Sequence, residues 1–225
     1  MTTRNPGPGE LSIVLVAKNH NPTILNPDFL KYNRIIPANW ILREKPICIE
    51  PMARVVFENG IQITAELDKV IFLEPIKNDK DINEINIPDI AVKYINTLPH
   101  VNYMAAGINP KGHLGFTTED EAQKFIMDIF INKKPWGHFD HRPSNVGLKF
   151  SYKLERSVLT LAIEASLFNI SPGKPIPVVL FAANFHHIIT GDNQGTKLDN
   201  LSKIIKNWQE DVDIYREFIQ KLIAE

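Results

Sequence analysis

Apolar and polar positions fall into short strand-like runs broken by turn signals, with helical spacing in only three places. Residues 11–17 (LSIVLVA) form a nearly unbroken apolar run of strand length, closed by Asn19-His20-Asn21-Pro22. Asn26 can then cap a short helical turn that opens on Pro27. The strongest local signal is Asn59-Gly60, flanked by Val55-Val56-Phe57-Glu58 and Ile61-Gln62-Ile63-Thr64. It predicts a hairpin on a two-residue type I′ turn, and residues 69–73 continue the meander. Ile90, Ala91, Tyr94 and Ile95 recur at helical spacing after Pro88, so a helix should run there and stop before Pro99. Residues 101–108 read as a strand and Asn109-Pro110-Lys111-Gly112 as its closing turn. Thr118 and Glu121 have capping-box spacing ahead of Ala122, Phe125, Ile126, Ile129 and Phe130, which predicts an amphipathic helix. Val146, Leu148, Phe150 and Tyr152 alternate strictly, as in a half-buried strand, and strands follow at 158–165 and 178–183.

From residue 198 onward the spacing changes to that of one long helix. Leu198, Leu201, Ile205, Trp208, Val212, Tyr215, Ile219 and Leu222 step 3-4-3-4-3-4-3, a heptad seam that Ile204 and Phe218 widen. The widening favours docking on the chain's own sheet. A helix of about 27 residues spans about 40 Å, so its last turns, from Tyr215 to Leu222, are expected to overhang and to support a homodimer. Asp211 and Asp213 are assigned to the solvent side. Thr196 is read as a cap.

The element order is strand, short helix, three strands, helix, then the same pattern again. Both halves place Asn-Pro four residues beyond an alanine, in Ala17 to Pro22 and Ala105 to Pro110. The expected fold is therefore α+β. It has a mainly antiparallel sheet of seven or eight strands from two pseudo-repeated halves, with the C-terminal helix packed on it. Residues 1–10 are expected to be a disordered tail and 11–225 one domain, with half-units at about 11–99 and 100–225. Its core should contain Val14, Val16, Val56, Phe72, Phe125, Phe150, Leu161, Leu180, Leu201 and Trp208.

Composition narrows the function without naming it. The 225 residues carry 25 Lys+Arg against 26 Asp+Glu, so no basic field argues for nucleic acid. Cys48 is the single cysteine, which excludes an intramolecular disulfide, and its apolar neighbours suggest a buried, inert thiol. No signal-peptide pattern opens the chain and no apolar run reaches 18 residues. The expectation is a cytoplasmic protein with no membrane partner.

Candidate chemistry rests on histidines and asparagines. His138, Asp140 and His141 fall in a long loop over residues 133–145, and His186-His187 ends a strand. With His186 they supply enough donors for a divalent metal, Asp192 being an alternative carboxylate, although H-x-x-H in a loop fixes no common face. Adjacent strand histidines point to opposite sides, so only one of His186 and His187 can join. Asn21, Asn109 and Asn184 lie at predicted strand ends, and His113 lies in the turn after Asn109. Together they form a candidate polar ligand site. Gly191 to Lys197 misses the phosphate-loop spacing, and no nucleophile elbow or dinucleotide fingerprint occurs. The leading reading is a non-catalytic binding or assembly module without a cofactor. The alternative is a metal-assisted hydrolase built on the two histidine clusters.

Overall fold

The computed structural model describes residues 8–76, 84–131, 146–168 and 175–224, and in these nine strands pair into one antiparallel sheet. The strands are β1 (Glu10–Lys18), β2 (Ile47–Ile49), β3 (Met52–Val56), β4 (Gln62–Glu66), β5 (Lys69–Pro75), β6 (Asn102–Gly115), β7 (Gly147–Lys153), β8 (Val158–Phe168) and β9 (Ile176–Ile188). Their order across the sheet is β2-β3-β4-β5-β1-β6-β9-β8-β7. The helices are α1 (Pro27–Tyr32), α2 (Ile87–Thr97), α3 (Glu119–Phe130), α4 (Gln194–Lys206) and α5 (Trp208–Ala224). The fold is α+β, as the hairpin-rich pattern predicts. The strand beyond the expected seven or eight is β2, whose three residues are too few to set up a period.

Burial falls on one side of the sheet. Leu11, Ile13, Leu15 and Ala17 of β1 are buried, as are Val70 and Phe72 of β5, Leu161 and Ile163 of β8, and Phe181 and Phe185 of β9. Against them pack Ile90, Ala91, Tyr94 and Ile95 of α2 and Val212, Tyr215 and Ile219 of α5. Each large side chain removed from water stabilises the fold by about 1.5–3 kcal/mol. Val14, Val16 and Leu180 are not core, contrary to expectation, because they take the opposite phase of their strands and lie on the face left uncovered among the described residues. Phe125 and Phe150 are only half-buried at the margin of the helical layer.

Several local expectations need correction. The Asn59-Gly60 hairpin exists, but only Gly60 has positive φ (90°). The Gly60 N–H donates to Phe57 O (3.0 Å) and the Phe57 N–H to Ile61 O (2.9 Å), so the loop has three residues, a type I turn closed by a left-handed glycine. Asn109-Pro110 is not a turn either. β6 continues through it to Gly115, pairing Asn109 with Ser12 and Pro110 with Leu11. The first ladder bond also comes earlier than the tail boundary suggested: the Gly9 N–H donates to Lys111 O (2.8 Å). Residues 1–7 lie outside the described residues.

The long C-terminal helix is two helices meeting at Asn207, a residue whose side chain competes for helical backbone groups. α4 is capped by Asn193, whose side chain accepts the Thr196 N–H (2.9 Å) while the Thr196 hydroxyl meets the Asn193 backbone; Thr196 is thus the partner of the cap. At α3, Thr118 caps as expected, but Glu121 reaches back to the Thr117 N–H (3.1 Å) instead of that of Thr118. Tyr215 and Ile219 are buried in the chain's own core, and Tyr215 Oη donates to Phe181 O (3.2 Å). The expected overhang from Tyr215 is absent, because the heptad seam stays in contact with the sheet to Ile219.

One cap comes from a distant strand. Glu74 of β5, 1% exposed, accepts the backbone N–H groups of Asn86 (2.7 Å) and Ile87 (3.0 Å) and the Asn86 side-chain amide (2.9 Å). A carboxylate here satisfies free donors and faces the positive end of the α2 dipole, which ties the helix to the sheet.

Candidate functional site

Two polar clusters stand out, on opposite faces of the sheet. On the uncovered face, Pro110 interrupts the central ladder, since it has no N–H to donate. Pairing of β6 with β9 runs from Ala105↔Ile188 to Ile108↔Phe185 and resumes at Lys111↔Ala182. Over this gap the Asn184 side-chain amide donates to Asn109 Oδ1 (2.8 Å), and Asn109 Nδ2 lies 3.5 Å from Ser12 Oγ. Thr160 of β8 stands opposite Asn184. The result is a neutral strip, Ser12-Asn109-Asn184-Thr160, crossing four adjacent strands. Gly107 makes room for it: a Cβ there would lie 3.2 Å from both Asn109 Oδ1 and Asn184 Nδ2.

Of the four residues expected to bind a ligand, the fold therefore brings two into contact. His113 shares their strand face and stacks on Phe168 with ring centroids 4.7 Å apart. Burial, and then the charge of Lys111, lower its pKa, so the ring is neutral near pH 7. Asn21 belongs elsewhere. It accepts the Thr23 N–H (3.1 Å) and hydroxyl (2.8 Å) in the turn after β1, which is the ordinary turn-closing role of asparagine.

The second cluster lies on the helix side and was not anticipated. His187 and Asp211 are each 2% exposed, and His187 Nε2 is 2.8 Å from Asp211 Oδ2. The other ring nitrogen, Nδ1, is 3.1 Å from Arg156 O. Both partners are oxygens that can accept, so each ring nitrogen is engaged and neither faces a hydroxyl. Arg156 also pairs with Glu210, and its Nη2 is 3.9 Å from Asp211 Oδ1. The turn between β7 and β8 is thereby clasped to the first turn of α5. Ser157 follows Arg156, and its buried Oγ has no hydrogen-bond partner among the described residues. Serine, histidine and aspartate do not form a relay here, because neither imidazole nitrogen is left to accept a proton from a hydroxyl.

Asp211 was misassigned to solvent. The signal was available: it lies three residues after Trp208 and four before Tyr215, on the flank of the apolar seam. A second buried histidine is His20. Its Nδ1 meets Glu66 O (3.2 Å) and its Nε2 meets Tyr94 Oη (2.8 Å). One nitrogen faces an acceptor and the other a hydroxyl, which suits a neutral ring. Burial lowers its pKa, and only in part is this opposed by the bond to Glu66.

For the metal reading, His138, Asp140 and His141 lie outside the described residues. His186 and His187 project to opposite faces, His186 exposed beside Asn184 and His187 sealed against Asp211. Among the described residues no group of three His, Cys, Asp or Glu side chains is placed to hold an ion, and no helix is long and apolar enough to cross a membrane. No protein-family model matches the chain, and no curated protein matches it.

Proposed function

We propose that the chain is a binding or assembly module that works through the uncovered face of its sheet, not an enzyme. The observation that supports this most is the neutral strip Ser12-Asn109-Asn184-Thr160 on that face. Amides and hydroxyls are neither strong acids nor bases near pH 7, but each offers a donor and an acceptor in a fixed direction. Small neighbours, Gly107, Ala162 and Ala182, keep the surface low beside them. Such a strip suits an uncharged partner rich in amides, above all an extended peptide segment. The pairing of β1 with β5 and of β6 with β9, each the first and last strand of its half, fits the proposed origin of the sheet as two half-units.

Amide-resolved NMR titration tests the reading. Uncharged capped tripeptides should shift the side-chain amide signals of Asn109 and Asn184, and N109A/N184A should abolish the response without lowering the Tm. Shifts confined to His186 on adding zinc, together with zinc-dependent hydrolysis of a model ester, would overturn it in favour of the metal-assisted hydrolase.

A further inference from the structure

The two margins of the sheet differ. At one, the three-residue β2 covers part of β3, and the segment before it adds a bridge from Leu42 to Phe57. At the other, β7 offers seven residues that pair, among the described residues, with β8 alone. A strand of that length with an open edge is a template for another strand. We propose that this edge is where two copies of the chain join, β7 against β7, into one continuous antiparallel sheet.

The direction of the backbone groups sets the possible registers. The Leu154 N–H donates to Ser157 O (2.9 Å), which fixes the phase of the β7–β8 ladder. Leu148, Phe150 and Tyr152 therefore turn their N–H and C=O groups toward β8, and Gly147, Lys149, Ser151 and Lys153 turn theirs outward. In a symmetric antiparallel pair the outward residues must face one another.

Charge then selects one register. Centred on Lys149, the pair would set that lysine against its own copy. Centred on Ser151, it would set Lys149 against Lys153 twice. Centred on Phe150, it sets Lys149 against Ser151 and Lys153 against Gly147, so that no lysine meets another. Phe150 then faces Phe150, and Leu148 faces Tyr152, on the helix side of the sheet. All three are half-buried in one copy because the helical layer thins out here, with Tyr152 meeting Phe218 of α5 at 5.1 Å. A twofold axis normal to the sheet keeps both helical layers on one side, so each copy extends the other's cover. This junction is separate from the strip on the uncovered face, and neither depends on the other.

The test is sedimentation velocity over a concentration series, with variants at Ser151. Ser151 is exposed, so S151E and S151K should leave the Tm at low concentration unchanged. The wild type should dimerise. S151E sets a carboxylate against Lys149 at two symmetric places and should tighten the dimer about tenfold, while S151K should weaken it by a similar factor. Raising the salt should shrink both effects. A wild type that stays monomeric to high micromolar concentration overturns the proposal, and so does a dimer whose affinity ignores both substitutions. In neither case is the peptide titration affected.

Discussion

Replacing Asp211 with Ala leaves a buried histidine without the carboxylate that balances it. His187 is 2% exposed, so water cannot take the place of the lost oxygen without opening the contact between α5 and β9. Removing one side of a buried, hydrogen-bonded histidine–carboxylate pair costs about 3–5 kcal/mol. For a chain of this size that amounts to a fall in Tm of about 10 °C. His187→Leu strands the carboxylate instead and should cost a similar amount, about 3–5 kcal/mol, since Arg156 Nη2 at 3.9 Å is too far to replace the lost bond. The informative variant is the double one. H187L/D211L removes both desolvated groups and puts apolar volume in their place, so it should fall within about 2 kcal/mol of the wild type. Urea unfolding with linear extrapolation on the four proteins closes the cycle. Losses in the double variant equal to the sum of the two single losses would show that the pair is uncoupled. A loss below about 1 kcal/mol in D211A would show that Asp211 is not sealed from water.

Two further outcomes follow from other sites. Gly60→Val should lower stability by about 2 kcal/mol or more, because a β-branched residue resists positive φ and its Cβ would lie 2.7 Å from Pro75 Cγ; an unchanged Tm would refute the turn assignment. His20 is held neutral in the fold, so the unfolded chain binds more protons than the native one as pH falls through the ordinary histidine range. Stability should be fully present above about pH 6.5 and decline below it, and His20→Gln should flatten that decline, with His113 supplying the remaining slope of the same sign. Urea midpoints at pH 7.5 and pH 5.5 check it, and equal losses in wild type and variant would sink it.

The sequence alone determined where most of the strands and helices lie, because periodicity is a local property. Alternation at Val146 to Tyr152, helical spacing at Ile90 to Ile95 and the seam from Leu198 onward all correspond to elements in the fold. Even the inward turn of His187 was legible, since it shares the phase of Phe181 and Phe185 on β9. Other features were beyond local patterning. The run LSIVLVA is apolar at both phases, so nothing within it says whether Leu15 or Val16 meets the helices; only the arrival of α2 on one side decides. Asn-Pro normally starts a turn, yet at Asn109-Pro110 the flanking strands β1 and β9 hold the backbone extended and asparagine side chains bridge the missing bond. Glu74 and Asn86 are twelve residues apart and share no repeat, and His187 and Asp211 are separated by twenty-four. Hydrogen bonds between such pairs form only after the chain has folded back on itself, when burial has removed the water that either partner would otherwise choose.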